Sequence, residues 1–189
     1  MTRELSSPMV ANAREIWILN FYRNSELHGA LLMGRLARSS RSTELLVHIT
    51  RHCATEARHA AILTEAIAEL GGDVDPRVPT VQERYSALGG VPTALVDLLV
   101  VSEVLEHRVL DTYRDHLART DLHPVVRRAL GTILAEMEEE HGDAHAGWIE
   151  HELEQHPHHE VEVAEKKWKR VDKESVADLH KLVEERFPS

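Results

Sequence analysis

Several glutamates of this chain lie in the middle of otherwise apolar helical stripes, and this limits what the chain can fold into. The glutamates concerned are Glu26, Glu56, Glu103, Glu106 and Glu138. With about 100° between successive helical residues, each of them projects among aliphatic or aromatic side chains. Burying one ionised carboxylate without a partner costs several kcal/mol, and four that converge would be less stable still. A fold that gathers them must therefore bring cations to its centre.

Two of these glutamates are followed by a histidine three residues later. Glu56 and His59 lie in TEARHA, and Glu138 and His141 lie in EMEEEH. Residues three apart share one face of a helix. A glutamate from each of two helices, with Glu-x-x-His from each of two others, is the ligand set of a carboxylate-bridged two-metal site in a four-helix bundle. Two divalent ions would balance the charge of four carboxylates beside two neutral imidazoles.

The distribution of proline and glycine predicts an all-α chain with four long helices. These residues are few and cluster at 71–92, which leaves long stretches suited to helices. The four helices are expected at about 8–38, 44–70, 92–119 and 124–155. Ser42 or Thr43 is a candidate N-cap for the second helix, and Asp121 or His123 for the fourth. Gly71-Gly72 is a helix stop signal.

The connections between these helices predict the topology. Short turns join the first helix to the second and the third to the fourth, whereas residues 71–92 form one long crossover with a short helix at about 81–88. Two hairpins joined by a crossover is the ferritin-like connectivity. We expect a single domain over 1–189, with the bundle at about 9–155 and a peripheral, charged helical tail at about 158–187.

Composition narrows the classes of partner. The formal net charge is −10, so the surface disfavours nucleic acid. One cysteine excludes a disulfide framework and a four-cysteine metal site. No apolar run approaches the ~20 residues of a membrane span, and the first residues lack a signal-peptide core. These features predict a cytoplasmic protein without a membrane partner.

The pattern resembles the ferritin-like diiron-carboxylate superfamily, which includes bacterioferritins, rubrerythrins, ribonucleotide reductase small subunits and several small hydroxylases. The resemblance covers about 9–155 and rests on Glu26, Glu56-x-x-His59, Glu103 or Glu106, and Glu138-x-x-His141. It implies that Glu56 and Glu138 bridge two iron ions, or manganese with iron, and that His59 and His141 bind one ion each. Glu26 and the third-helix glutamate would be terminal ligands. Both Glu103 and Glu106 suit the family spacing, with Glu103 slightly preferred.

This sequence differs from several members of the superfamily, and the differences reduce the number of activities that the resemblance implies. A single cysteine cannot build the CxxC iron site of rubrerythrins. Leu63 stands where ribonucleotide reductase small subunits carry a radical tyrosine. A long charged tail replaces the short fifth helix of cage-forming ferritins, and the acidic surface is unlike that expected of a tRNA hydroxylase. No haem, flavin or nucleotide is implied.

Three further residues are candidates for positions around the metal ligands. His52 and His145 project inward and would orient a ligand or add one, although a partly buried histidine without that role is also compatible with the pattern. Tyr22 lies one turn before Glu26 and would bond a ligand carboxylate or simply fill the core. The histidine-rich tract at 151–159 is interpreted as a solvated helix end rather than a metal-collecting segment.

These observations predict a dimetal oxidoreductase of the oxidase or oxygenase type. It would use oxygen or peroxide, a small-molecule substrate and an external electron donor, as a homodimer. Two alternatives remain open: a ferroxidase or other iron-handling protein, and a non-enzymatic helical interaction module whose glutamates do not face inward.

Overall fold

The computed structural model describes residues 13–141 and 145–188, with side chains described outside 140–147. The described residues are all-helical and contain no strand, so the expected all-α class is confirmed. None of the described helices combines the length and apolar character needed to cross a membrane. The helices are α1 (Ala13–Ser39), α2 (Thr43–Glu69), α3 (Val81–Gly89), α4 (Leu95–Ala118), α5 (Pro124–His141), α6 (His145–Glu154) and α7 (His158–Arg186).

The predicted signals at both ends of α2 are confirmed. At the start, the Ser42 hydroxyl accepts a hydrogen bond from the Leu45 amide at 3.2 Å, as an N-cap does. At the end, Gly71 adopts a φ of 72°, and the Gly72 amide donates to the Ile67 carbonyl at 2.9 Å. Glycine adopts this left-handed conformation without the steric penalty of a Cβ atom, so α2 stops here.

The long connection between α2 and α4 contains the predicted short helix. α3 begins with a capping box, in which the Thr80 hydroxyl accepts from the Glu83 amide at 3.1 Å and the Glu83 carboxylate accepts from the Thr80 amide at 2.8 Å. The next helix, α4, starts at Leu95, three residues later than expected. α5 begins at Pro124, and His123 Nδ1 accepts from the Val125 amide at 3.2 Å.

The long helices pack around one main core. α1 and α2 form a hairpin with the most extensive contact, α4 contacts α1, α5 and α6, and α2 contacts α5 and α6. The helix expected over 124–155 corresponds to α5 and α6, and residues 142–144 lie outside the described residues. Fully buried aliphatic side chains from four helices fill the centre, among them Leu19, Leu36, Leu45, Ile49, Leu63, Leu99, Leu130 and Ile133.

The C-terminal helix α7 is part of the core, so the expectation of a peripheral tail is wrong. It packs on α3 and α4. Trp168 is fully buried, its indole N–H donates to Asp97 at 2.7 Å, and its ring stacks on Tyr85 with centroids 6.3 Å apart. The charges that suggested a solvated tail occupy the outer face of α7, whereas Trp168, Val171 and Ser175 form the inner face.

Removing the Trp168 side chain should destabilise the whole protein. Trp168→Ala would leave a large cavity between α7 and α3, and we expect a loss of about 3–5 kcal/mol in the free energy of unfolding. Urea unfolding followed by circular dichroism measures this. The matched control is Val163→Ala, on the same helix at a side chain that is 66% exposed, which should change little. Equal effects of the two variants would contradict the packing of α7.

Candidate metal centre

Three helices bring buried carboxylates to one wall of a cavity. α1 contributes Glu26, α2 contributes Glu56 and α4 contributes Glu106. Glu26 and Glu106 are 5% and 8% exposed, which is unusual for ionisable side chains. All three glutamates lie on helix faces that pack inward, because the residues one turn away, Tyr22, Ala60 and Ser102, are buried.

His52, Glu56 and Glu106 form a compact group of potential ligands, which we call the first group. His52 Nε2 lies 2.7 Å from Glu106 Oε1 and 3.2 Å from Glu56 Oε1. One donor atom from each of the three side chains lies within 4.8 Å of the others. A single cation could contact all three. Of the two roles expected for His52, orienting a ligand or adding one, this geometry favours the second.

His59 is the centre of a second group. Its Nδ1 lies 3.3 Å from Glu26 Oε2, and its Nε2 lies 3.2 Å from Glu136 Oε2. The ring is 2% exposed, yet neither nitrogen has a hydrogen bond of normal geometry to any described residue. Arg58 forms an ion pair with Glu136. Buried imidazole nitrogens close to carboxylate oxygens but not hydrogen-bonded to them are arranged as in a site for a cation.

Glu26 is held by Tyr113, which the sequence placed in the core or at its rim without a role at the site. The Tyr113 hydroxyl donates a hydrogen bond to Glu26 Oε1. Of the two roles expected for Tyr22, the structure shows the core one. Its ring packs edge-on against Tyr113 with centroids 4.8 Å apart, and its hydroxyl bonds His116 Nδ1 at 3.1 Å rather than a ligand carboxylate.

A line of buried polar groups continues from Tyr22 towards Glu15. His116 Nε2 lies 3.6 Å from Glu15 Oε1. Burial lowers the pKa of His116 to about 4, so the ring is neutral at pH 7. A neutral ring with its proton on Nε2 leaves Nδ1 to accept the hydrogen bond from the Tyr22 hydroxyl.

Gly29 makes room for the Glu56 carboxylate. A Cβ atom at Gly29 would lie 2.1 Å from Glu56 Oε2. The close approach of Glu56 to α1 therefore depends on the missing side chain at Gly29, which lies one turn after Glu26 on the same face of the helix. A glycine inside a helical stripe is a sequence signal for close approach, and it could have identified this position.

The electrostatics of the first group reflect its burial. Burial and the neighbouring Glu26 charge raise the pKa of Glu56 well above its usual value. Burial alone would lower the pKa of His52, but the charge of Glu106 and hydrogen bonds to Glu106 and Glu56 outweigh it and raise the pKa to about 11. Without a metal ion, a protonated His52 is therefore the cation that holds Glu56 and Glu106.

Two of the expected ligands lie outside both groups. Glu138 is half-exposed and accepts from Arg114 at 2.9 Å, so the expectation that it faces inward is wrong. Glu136, two residues earlier and about 200° around the helix, contacts His59 instead. On α4, Glu106 and not Glu103 reaches the cluster, and Glu103 is half-buried outside it.

The remaining histidine candidates are less informative. The side chains of His141 and His145 lie outside the described residues. In the tract at 151–159, His151, His158 and His159 are exposed and His156 is half-buried, which agrees with a solvated helix end.

No protein-family model, curated protein or solved structure matches this chain. The resemblance to ferritin-like diiron proteins therefore stays a prediction. The support for a function comes from the buried side chains themselves, above all from His52, Glu56 and Glu106.

Loss of the Tyr113 hydroxyl should cost more stability than loss of the Tyr22 hydroxyl. A hydrogen bond to a charged group contributes about 1.5–3 kcal/mol, against about 1 kcal/mol for a neutral one. Tyr113→Phe removes the bond to Glu26, and the matched variant Tyr22→Phe removes the bond to neutral His116. Denaturant unfolding at pH 7 measures both. A smaller loss in Tyr113→Phe than in Tyr22→Phe would contradict the role of Tyr113.

Proposed function

We propose that this protein is a non-haem dimetal oxidoreductase, with iron or with iron and manganese, that uses oxygen or peroxide to oxidise a small molecule. The observation that carries the proposal is the convergence of His52, Glu56 and Glu106 within one buried group. In this proposal α1, α2, α4 and the α5–α6 segment form a ferritin-like four-helix bundle, and residues between α2 and α4 form its crossover.

The side chains fit two cations in number and in chemistry. Four carboxylates and two imidazoles come together, namely Glu26, Glu56, Glu106 and Glu136 with His52 and His59. The four negative charges of the carboxylates would be balanced by the four positive charges of two divalent ions. Mixed carboxylate and imidazole donors suit iron and manganese. The first group would hold one ion, and Glu26 with His59 would contribute to the other.

Glu56 is the candidate bridging ligand. It belongs to the first group through His52, and its carboxylate also feels the charges of both Glu26 and Glu106. Glu56 would therefore help to hold either ion. Compared with the family pattern, Glu136 takes the place that Glu138 was expected to fill, and His52 is added to the ligand set.

The residues around the cluster support redox chemistry in a dry site. When bound, the metal ions would supply the electrons and the Lewis acid needed to reduce oxygen or peroxide. Tyr113 holds Glu26 in place, and the burial of Glu26, His52 and His59 excludes water. An adjoining cavity of about 390 Å³ gives a substrate access to Glu26, Glu56 and Glu106, which favours an oxidase or oxygenase over iron storage. An external donor would return the electrons.

Metal binding by the purified full chain tests the proposal. After anaerobic incubation with ferrous or manganous ions and dialysis, we expect about two ions per chain by elemental analysis. Glu106→Ala should lose at least one of them. The matched control Glu103→Ala, on the same helix but outside the cluster, should retain both. A wild-type chain that binds no iron or manganese tightly, or equal metal contents in the two variants, would overturn the proposal.

Oxygen consumption and size separate the two metal-dependent functions. The ferrous protein should consume oxygen in a small oligomer, expected to be a dimer, with no more than about two irons per chain. A large shell that takes up many more irons would show iron storage instead.

Closing the gap at Gly29 should disturb the metal centre selectively. In Gly29→Ala the new methyl group would displace the Glu56 carboxylate, so the bound metal should fall to half or less. The matched control is Gly34→Ala on the same helix, where a Cβ atom meets nothing within 4 Å. It should keep the metal and gain up to about 1 kcal/mol of stability. Elemental analysis and urea unfolding measure the two effects, and an unchanged metal content in Gly29→Ala would exclude a ligand role for Glu56 in this position.

A further inference from the structure

The cavity beside the carboxylates has two different ends. It is lined by residues of α1, α2, α3, α4 and α7, and its volume of about 390 Å³ falls in the range of small-molecule sites. Glu26, Glu56 and Glu106 form one part of its wall. Residues of α3 and α7 form another part, which contains Arg84 and Ser175. The three carboxylates come from α1, α2 and α4, whereas Arg84 and Ser175 come from α3 and α7.

Most of the surface between these two parts is apolar. Its side chains come from three helices and include Phe21, Leu32, Val109, Val176 and Leu179. Such a wall binds the hydrocarbon portion of a ligand through the hydrophobic effect. It offers few partners for a ligand that is polar throughout.

The part formed by α3 and α7 carries buried polar atoms whose hydrogen-bonding capacity is unmet. Arg84 Nε, Ser175 Oγ and Gln82 Oε1 are buried, and none has a hydrogen-bond partner among the described residues. Ser175 is only 2% exposed. Buried polar groups of native proteins are nearly always paired with protein, water or ligand. Three such atoms in the wall of one cavity indicate that something bound in the cavity pairs with them.

The surrounding ion pairs place Arg84 and Ser175 near each other. Arg84 lies 3.7 Å from Asp178, and Arg108 forms a two-pronged pair with Asp172. Ser175 is three residues from each aspartate, so all three share one face of α7. Arg108 is committed to Asp172, whereas the distance from Arg84 to Asp178 is longer than a hydrogen bond. Arg84 therefore keeps an N–H group available beside the Ser175 hydroxyl.

We propose that this cavity binds a small apolar carboxylic acid. The carboxylate accepts hydrogen bonds from Arg84 Nε and the Ser175 hydroxyl, and the hydrocarbon portion lies along the apolar wall. Repulsion by Glu26, Glu56 and Glu106 disfavours the opposite orientation, so the hydrocarbon end faces the metal ligands. Gln82 Oε1 would accept from a hydroxyl group next to the carboxylate in a hydroxylated acid.

The inference that this acid is a substrate rests on the proposed function. The binding of the acid can be measured whether or not the protein is an oxidoreductase. The probe is octanoate, titrated calorimetrically into the full chain in buffer with EDTA, so that the acid cannot simply coordinate a metal ion. Octan-1-ol is the matched probe that has the same chain and no carboxylate. We expect saturable binding of octanoate, at least tenfold tighter than that of octan-1-ol.

Two variants and one control locate the carboxylate. Arg84→Gln should weaken octanoate binding at least tenfold and leave octan-1-ol binding within about twofold. Ser175→Ala should weaken octanoate binding severalfold with little risk to folding. The control Arg77→Gln makes the same change of charge at a side chain that is 88% exposed and outside the cavity, and it should bind like the wild type.

The possible results are distinct. No saturable octanoate binding, equal affinity for acid and alcohol, or full affinity in both Arg84→Gln and Ser175→Ala would overturn the inference and leave water as the partner of these atoms. Acid binding by a chain that fails to bind iron or manganese would uphold the cavity assignment and reject the dimetal function. Metal binding without acid binding would reject the cavity assignment and leave the dimetal function standing.

Discussion

Buried negative charge is the constraint on which the structure depends. Glu26, Glu56 and Glu106 lie in a helical interior, where ionised carboxylates are stable only if cations or protons compensate them. In the absence of metal, the proton on His52 and the hydrogen bond from Tyr113 provide part of that compensation. Two divalent ions would provide all of it. If the proposed function holds, the same arrangement costs stability in the empty protein and would create affinity for metal ions, as expected where a site is built for function rather than for stability.

The C-terminal helix links this cluster to the cavity. Trp168 anchors α7 on α3 and α4, and further along the same inner face Ser175 and Leu179 form part of the cavity wall. The stability of α7 and the shape of the cavity therefore depend on the same packing. An oxidase requires a site closed to bulk water with space for a substrate beside the metal ions. In the described residues α7 supplies one wall of the cavity, while α1, α2 and α4 supply the carboxylates.

The sequence predicted several ends of helices correctly, because these depend on a few adjacent residues. Ser42, Gly71 and the short helix at Val81 could be located from the sequence because capping and glycine conformation depend on a few adjacent residues. The ligand candidates of α1 and α2 also faced inward as expected. The prediction failed for Glu138, since a rotation of α5 by two residues exchanges Glu138 for Glu136. It also missed the role of Tyr113, because its partner Glu26 is 87 residues away in sequence. The inner face of α7 was missed as well, because the many charged residues of this helix made the segment around Trp168 look solvent-exposed.

The sequence by itself determined an all-helical chain with carboxylates in its apolar stripes, because helical periodicity and charge are properties of short segments. Only the tertiary structure decided which of those carboxylates meet. Three features depend on how helices far apart in sequence rotate and pack. They are the position of Glu106 rather than Glu103 in the cluster, the presence of His52 there, and the occurrence of Arg84 and Ser175 in one cavity wall. Rotating a helix about its own axis leaves its local hydrogen bonds intact, so side-chain packing across the core, rather than local propensity, sets that rotation.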